Sequence, residues 1–177
     1  MVERIYEDIK MELIKATMDD LELLKEIYKD IVKHMYEQGM DIWDDIYPCE
    51  FIKDDIENDQ FYILKDDHIL AGVALCQHNA GENEVEWINH NDHVLYIDRL
   101  GVNVHDLRKG IGCLLLEHIK TLAKRNGISS LRLFVVQNNL PAIHLYQKND
   151  FRQVEGIYNE VIDEDLILHE YGYECIL

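Results

Sequence analysis

No apolar run in these 177 residues approaches the roughly 20 that a membrane-spanning helix requires. The opening MVERIYEDIK lacks the apolar core of a signal peptide. Cysteine is sparse and scattered, and Cys49, Cys76, Cys113 and Cys175 form no close pair of metal-site or redox spacing. Free thiols in a reducing compartment are therefore expected, and with them a cytoplasmic location and no membrane partner. Repeats and low-complexity linkers are missing too. Positive charge is short: 17 Lys and Arg stand against 35 Asp and Glu, for a net charge of −18. A field of that sign repels phosphate backbones and argues against a nucleic-acid partner.

What the chain does have is the 47% apolar content and mixed charge of a globular protein. Its length suits one domain with a substantial core. The scarce positive charge is also unevenly placed. Between Asp98 and Arg152 lie nine of the 17 basic residues and only four of the 35 acids, so this segment carries +5 and the remainder −23. Most of those acids serve solubility. The asymmetry also fits a polyanionic ligand held by the basic segment and a cationic one drawn to the acidic part.

Hydrophobic periodicity predicts a mixed α/β order. Met11 to Ala16 reads as a first strand, and Thr17-Met18-Asp19-Asp20 resembles a capping box with Asp in the place of Glu or Gln. The helix that follows carries Leu24, Ile27, Tyr28, Ile31, Val32 and Met35 on one face and stops at Gly39. Glu50 to Asn58 suggests a short helix, and Gln60–Lys65 with His68–Gln77 a hairpin turning at Asp66-Asp67. Asn79 to Asp92 reads as a polar loop. His93 to Val104 is the most apolar strand, and a phase slip within it suggests a bulge near Asp98-Arg99: Leu95 and Ile97 fit one parity, Leu100, Val102 and Val104 the other, while Val94 and Tyr96 fit the later parity without a bulge. Gly112 to Lys124 reads as a helix, and Ser130 to Val136 as a strand buried on both faces. A short helix opens around Pro141, where a missing N–H costs little. Phe151–Tyr158 and Leu166–Ile176 close the chain as strands.

The most informative stretch is VHDLRKGIGC, Val104 to Cys113, at a strand-to-helix turn. Gly110 and Gly112 let backbone approach a ligand. Arg108 and Lys109 add charge, and the first amides of the helix are free donors at the positive end of its dipole. Such a loop suits a phosphate. A nucleotide-triphosphatase loop is excluded because Gly112 is followed by Cys113 rather than Lys-Ser/Thr, and a dinucleotide fingerprint because position 115 is Leu rather than Gly.

Together, VNVHDLRKGIGCLLLEHI and the later NNLPAIHLYQKNDF resemble the GCN5-related N-acetyltransferases. That family's acetyl-CoA loop reads Arg/Gln-x-x-Gly-x-Gly/Ala, matched by Gly110 and Gly112. Its second signature reads Asn-x-x-Ala-x-x-x-Tyr, matched by Asn139, Ala142 and Tyr146. Leu107 departs from the usual Arg or Gln of the loop, and Asp150-Phe151 from the usual Gly-Phe. The resemblance implies an α/β (α+β) fold with a mixed, mostly antiparallel central sheet flanked by helices and a bulged strand at about 94–104. It covers residues 11–177 as one N-acetyltransferase domain, with 1–10 a peripheral extension and Met11 an alternative start. Many relatives are dimers, so a homodimer is compatible with it.

The resemblance further implies acetyl-CoA as co-substrate, without a metal. Leu107, Arg108, Lys109, Gly110, Ile111, Gly112 and Cys113 would hold its pyrophosphate. Leu100, Gly101 and Val102 would pair with the pantetheine arm, and Asn139, Ala142, Tyr146 and Lys148 complete the set. Tyr146 is the candidate acid that protonates the departing thiolate, since a phenol stays protonated at neutral pH. Asp98 is the candidate base, with a water chain to Glu84, Glu86 or Asp92 as the alternative. Tyr36, Asp41, Trp43, Asp44, Asp45 and Tyr47 offer carboxylates beside aromatic faces to an ammonium. Arg99 reads as structural. His90-x-x-His93 lacks an obvious third metal ligand, and Cys113 lacks a partner His. The expected reaction is acetyl transfer to a primary amine of a small cationic metabolite. A protein N-terminus or lysine as acceptor, and a non-catalytic acyl-CoA-binding domain, are the rivals.

Overall fold

The computed structural model describes residues 11–177, and the expectation of a peripheral decapeptide at 1–10 lies outside the described residues. The first strand, β1 (Glu12–Lys15), ends at Thr17, whose backbone N–H donates to the Asp20 carboxylate at 2.8 Å. This is the expected capping contact. It opens a single 3-10 turn that runs into α1 (Leu21–Glu37). One stripe of α1 is buried, through Leu24, Ile27, Tyr28, Ile31 and Met35, and Gly39 closes the helix at φ +77°.

The short helix α2 (Ile52–Glu57) leads into the hairpin β2 (Phe61–Lys65) and β3 (Ile69–Cys76). The stretch expected to be plain loop contains β4 (Val85–Glu86), followed by the buried Trp87. Next come β5 (Val94–Val102), α3 (Ile111–Arg125), β6 (Ser130–Val136) and α4 (Leu140–Lys148). The strand expected at Phe151–Tyr158 is broken at Val154 into β7 (Arg152–Gln153), which pairs with the last strand, and β8 (Glu155–Gly156), which pairs with β4, and Gly156 then turns at φ +107°. The closing hairpin is β9 (Tyr158–Val161) and β10 (Ile167–Ile176).

The main sheet has the order β1-β2-β3-β5-β6-β10-β7, with β9 added to β10, while β4 and β8 form a separate ribbon. Of these pairings only β5 with β6 is parallel. The sheet is therefore mixed and mostly antiparallel, flanked by helices on both faces. On one face α3 and α4 bury Leu115, Leu116, Ile119 and Ile143 against Leu131, Leu133 and Val135. On the other, α1 and α2 bury Leu24, Tyr28 and Ile52 against Phe61, Ile63 and Ala74. Among the described residues no helix is long and apolar enough to cross a membrane.

The phase slip in β5 is a real bulge. Arg99 sits at φ +51°, and the pairing with β3 skips a residue between Gly72↔Gly101 and Ala74↔Asp98. Leu95 and Ile97 before it, and Leu100 and Val102 after it, all pack toward α3. The extra residue points both Asp98 and Arg99 toward the opposite face, where Ala74, the partner of Asp98, lies in the α1 core.

Candidate active site

The parallel pairing of β5 with β6 stops at Tyr96↔Arg132. Beyond it β5 runs on to Val102 and β6 to Val136, but the two strands no longer pair, and β6 stays fixed on its far side to β10. An opening is left whose β5 rim, from Ile97 to Val102, has backbone groups without a partner on β6. An extended ligand can add to such a rim as a further strand. Leu100, Gly101 and Val102 are on it.

The rim leads into the loop ahead of α3. Arg108 takes φ +62° and Gly110 φ +79°, after which Leu114 N–H makes the first intrahelical bond to the Gly110 carbonyl at 3.1 Å. The amides of Ile111, Gly112 and Cys113 thus precede the helical ladder and face outward along its axis. The two glycines serve different ends. At Gly110 the left-handed backbone is the requirement, and a Cβ would meet nothing; at Gly112 a Cβ would lie 3.0 Å from Leu145, so that residue sets the approach of α3 to α4. Lys109 is tied to Asp106 at 2.9 Å, and Asp106 also meets His68 Nε2 at 2.7 Å. Ile111 gives its side chain to the core. Cys113 Sγ accepts from Asn149 Nδ2 at 3.3 Å, the contact of a packed thiol.

Asn139 caps α4, its side chain accepting from Ala142 N–H at 3.3 Å, so that residue orients the helix. Ala142 packs against the α3 core, and Lys148 is exposed. Tyr146 is buried at 7% exposure with its ring 5.7 Å from Phe151. Among the described residues its hydroxyl has no hydrogen-bond partner, yet no fully buried polar side-chain atom lacks one. The hydroxyl must therefore reach open space. Burial, and then the charge of Asp98, push its pKa well above that of a free phenol. Asp98 lies on the opposite face of the sheet, so the field that Tyr146 feels crosses the opening.

That opposite face is organised around Arg99. Its guanidinium makes a two-pronged pair with Asp55 of α2 at 2.6 and 2.7 Å and lies 3.4 Å from Asp98, with the side chain 9% exposed. Its carbonyl accepts from the Tyr28 hydroxyl at 2.6 Å. Tyr47 donates its hydroxyl to Asp98 at 3.0 Å, and Arg99 N–H donates to the same oxygen at 2.9 Å. Trp43 stacks on Tyr28 and meets Tyr47 edge-on, at 6.0 and 6.1 Å between ring centres. The structure thus brings Trp43 and Tyr47 to Asp98. It gives Asp44 a different task, since that carboxylate caps its own loop by accepting from the N–H groups of Ile46 and Tyr47. Tyr36, at 72% exposure, Asp41 and Asp45 are surface residues.

Of the acids considered as alternatives, Glu84, Glu86 and Asp92 belong to the β3–β5 connection. Glu86 and Asp92 line a separate open cavity of about 910 Å³. Its floor is Arg132, held by Glu174 and stacked 4.6 Å from the Trp87 ring. That cavity lies where β5 and β6 are still paired. Among the described residues the one group of three potential metal ligands is Asp66, Asp67 and His68 at the β2–β3 turn; His90 and His93 join none.

The profile of the Acetyltransferase (GNAT) family matches residues 24–151, more than half of the chain. The protein belongs to the GNAT acetyltransferases. GCN5-related N-acetyltransferase 6, chloroplastic, of Arabidopsis thaliana is 36% identical over 76 residues, 43% of this chain but only 26% of that protein. A GNAT-family acetyltransferase from Streptococcus agalactiae superposes with a TM-score of 0.77 at 18% identity, over 94% of this chain and 95% of the other. The PaiA N-acetyltransferase of Thermoplasma acidophilum, solved with coenzyme A, gives 0.65 at 21% identity over 95% and 99%. The chain thus carries an acetyltransferase-family domain, and it spans about a quarter of the length of the curated Arabidopsis relative.

Two acids on the GNAT fold's closing hairpin are not evident from sequence alone. Register places Glu170 opposite Val136 and Tyr158, and Glu160 two residues along β9 on the same side. Val136 shares its face of β6 with Arg132, the partner of Tyr96, and Tyr96 shares its face of β5 with Asp98. Glu160, Glu170 and Asp98 therefore line one mouth of the opening. No local pattern marks them, because their common face is set by the register with β6 and β9.

Proposed function

We propose that residues 11–177 form one catalytic domain that moves acetyl from acetyl-CoA to a primary amine of a small cationic metabolite. The observation that carries this reading is the Tyr146 hydroxyl, unpartnered among the described residues, at an opening whose other mouth is lined by Asp98, Glu160 and Glu170. The free amides ahead of α3, with Arg108 and Lys109, suit the pyrophosphate, and the β5 rim at Leu100 to Val102 suits the pantetheine arm. Leu107 supplies no polar contact, so the backbone bears that task. Carboxylates beside Tyr47 and Trp43 suit an ammonium.

In this reading a carboxylate of the mouth takes one proton from the ammonium, and the freed lone pair attacks the thioester carbonyl carbon. The C–N bond forms as the carbonyl electrons move to oxygen, which a backbone N–H near Leu100 or Gly101 stabilises; one such donor is typically worth about 100- to 1000-fold. Collapse breaks the C–S bond. Sulfur keeps the electron pair and takes the Tyr146 proton, and the phenolate recovers the second proton from nitrogen. Holding both reactants at the opening supplies much of the remaining acceleration.

A rival acceptor, a protein N-terminus or lysine, is favoured by the exposed apolar side chains of the β9–β10 hairpin, Val161, Ile162, Leu166 and Ile167. Acceptor panels separate the two. Acetyl-CoA at 100 times its dissociation constant should stabilise the fold by about 2.7 kcal/mol. CoA thiol should then appear with polyamines, amino acids or aminoglycosides rather than with peptides. Tyr146→Phe should keep the thermal shift and lose about 100-fold or more in kcat. Thiol release with peptides alone would overturn the small-amine reading, and an unchanged rate in Tyr146→Phe would remove its acid role.

A further inference from the structure

The mouth holds more than one carboxylate, and they are not equivalent. Asp98 is already engaged: one oxygen accepts from the Tyr47 hydroxyl at 3.0 Å and from Arg99 N–H at 2.9 Å, and the other lies 3.4 Å from the Arg99 guanidinium. Both of its oxygens are thus held by Tyr47 and Arg99. Glu170 is different. It is half-buried on β10, opposite the last residue of β6 at the far rim of the opening. Among the described residues its carboxylate has no hydrogen bond and no ion pair.

We infer that Glu170, rather than Asp98, is the catalytic base that takes the proton from the acceptor's ammonium, while Asp98 holds that ammonium in place. This rests on the acetyl-transfer reading above. The step is a proton transfer from nitrogen to a Glu170 oxygen, leaving a neutral amine and a carboxylic acid, which returns the proton to solvent after turnover.

The charged and titratable groups facing Glu170 are Glu160 and Tyr158 from β9 and Asp98 from β5; Val136 and Phe134 of β6 add none, and Arg132 is occupied by Glu174. Among the described residues no cation faces it. Burial first, and then the charges of Glu160 and Asp98, push the Glu170 carboxyl up to about 8. A group balanced there can both accept and release a proton near neutrality, which is the condition for an efficient general base.

The test is the pH profile of kcat for wild type, Glu170→Gln and Asp98→Asn on the same acceptor. Wild type should rise through about pH 8. Glu170→Gln should fall by about 100-fold or more at pH 8, lose that limb, and keep its thermal shift with acetyl-CoA. Asp98→Asn should keep the limb and raise KM for the amine. A Glu170→Gln rate within about threefold of wild type, with the limb retained, would overturn the assignment, as would loss of the limb in Asp98→Asn alone. An enzyme active only on peptides refutes the small-amine reading, and the same variants assayed on the peptide then support or overturn the role of Glu170 by the same criteria. Infrared difference spectra, wild type minus Glu170→Gln, supply a readout independent of any acceptor. They should contain a protonated carboxyl band that disappears near pH 8, and its absence at pH 6 refutes the inference.

Discussion

Arg99 is the residue on which the acceptor side of the site turns. It holds a left-handed backbone, which costs a non-glycine residue about 1–2 kcal/mol. Its guanidinium pairs with Asp55 and meets Asp98, its carbonyl accepts from the Tyr28 hydroxyl, and its N–H donates to Asp98. Burial pushes the Asp55 carboxyl up despite this pairing. Removing the cation leaves two carboxylates side by side in a poorly hydrated place. Arg99→Met should therefore cost about 3–5 kcal/mol, as breaking a buried ion pair generally does. Chemical denaturation would measure it, and a loss under about 1 kcal/mol would mean that water reaches Asp55. Replacing both members, Arg99→Met with Asp55→Leu, should recover much of the stability but not the rate, because Asp98 would lose a neighbour that fixes it.

Among the elements, the bulge in β5 and the turn into α3 are each set by one backbone angle. The bulge is why Asp98 and Arg99 share a face, and the end of β5–β6 pairing is why that face communicates with Tyr146. The loop before α3 needs Gly110 at φ +79° with open space around its Cβ position. Gly110→Ala should thus lower stability by about 1 kcal/mol through backbone strain alone. In a chain of this length that is about 2–4 °C in melting temperature. The loss of acetyl-CoA affinity should be larger than the loss of stability, because the amides that follow are the phosphate donors. Calorimetric titration with CoA would check this, and unchanged affinity would mean that the loop is not the phosphate cradle.

For the molecule as a whole, a half-buried carboxyl without a cation is a stability cost that rises with pH. Between its ordinary pKa, about 4.3 in a free chain, and about 8 in the fold, Glu170 binds its proton more tightly when folded than when unfolded. The folded state is thus favoured at the acid end of that window and loses this contribution as pH rises through about 8. Glu170→Gln should melt within about 1 °C of wild type near pH 4 and at least about 3 °C above it at pH 9. A variant less stable than wild type at pH 9 would show that the carboxylate has a partner in solution. Greater stability with lost rate is the usual signature of a group kept for chemistry.

Most of the framework was legible in local pattern. Strong 3.6-residue periodicity marked α1 and α3, and a two-sided apolar run marked β6, because local burial leaves a local pattern; the alternation of β5 allowed a bulge, which the register with β3 decided. The family motifs pointed to the loop before α3 and to Tyr146, since phosphate binding and helix entry need particular residues at fixed spacing. Which acids share a site, by contrast, emerged only once the strands were paired. Asp44, a carboxylate three residues from Tyr47, stays exposed and caps its own loop instead. Glu160 and Glu170 reach Asp98 through the register of β9, β10 and β6 from more than sixty residues away. Composition records how many carboxylates a chain carries. Whether one is solvated, paired or left in a dry mouth depends on strand pairing across the chain, and no short pattern encodes it.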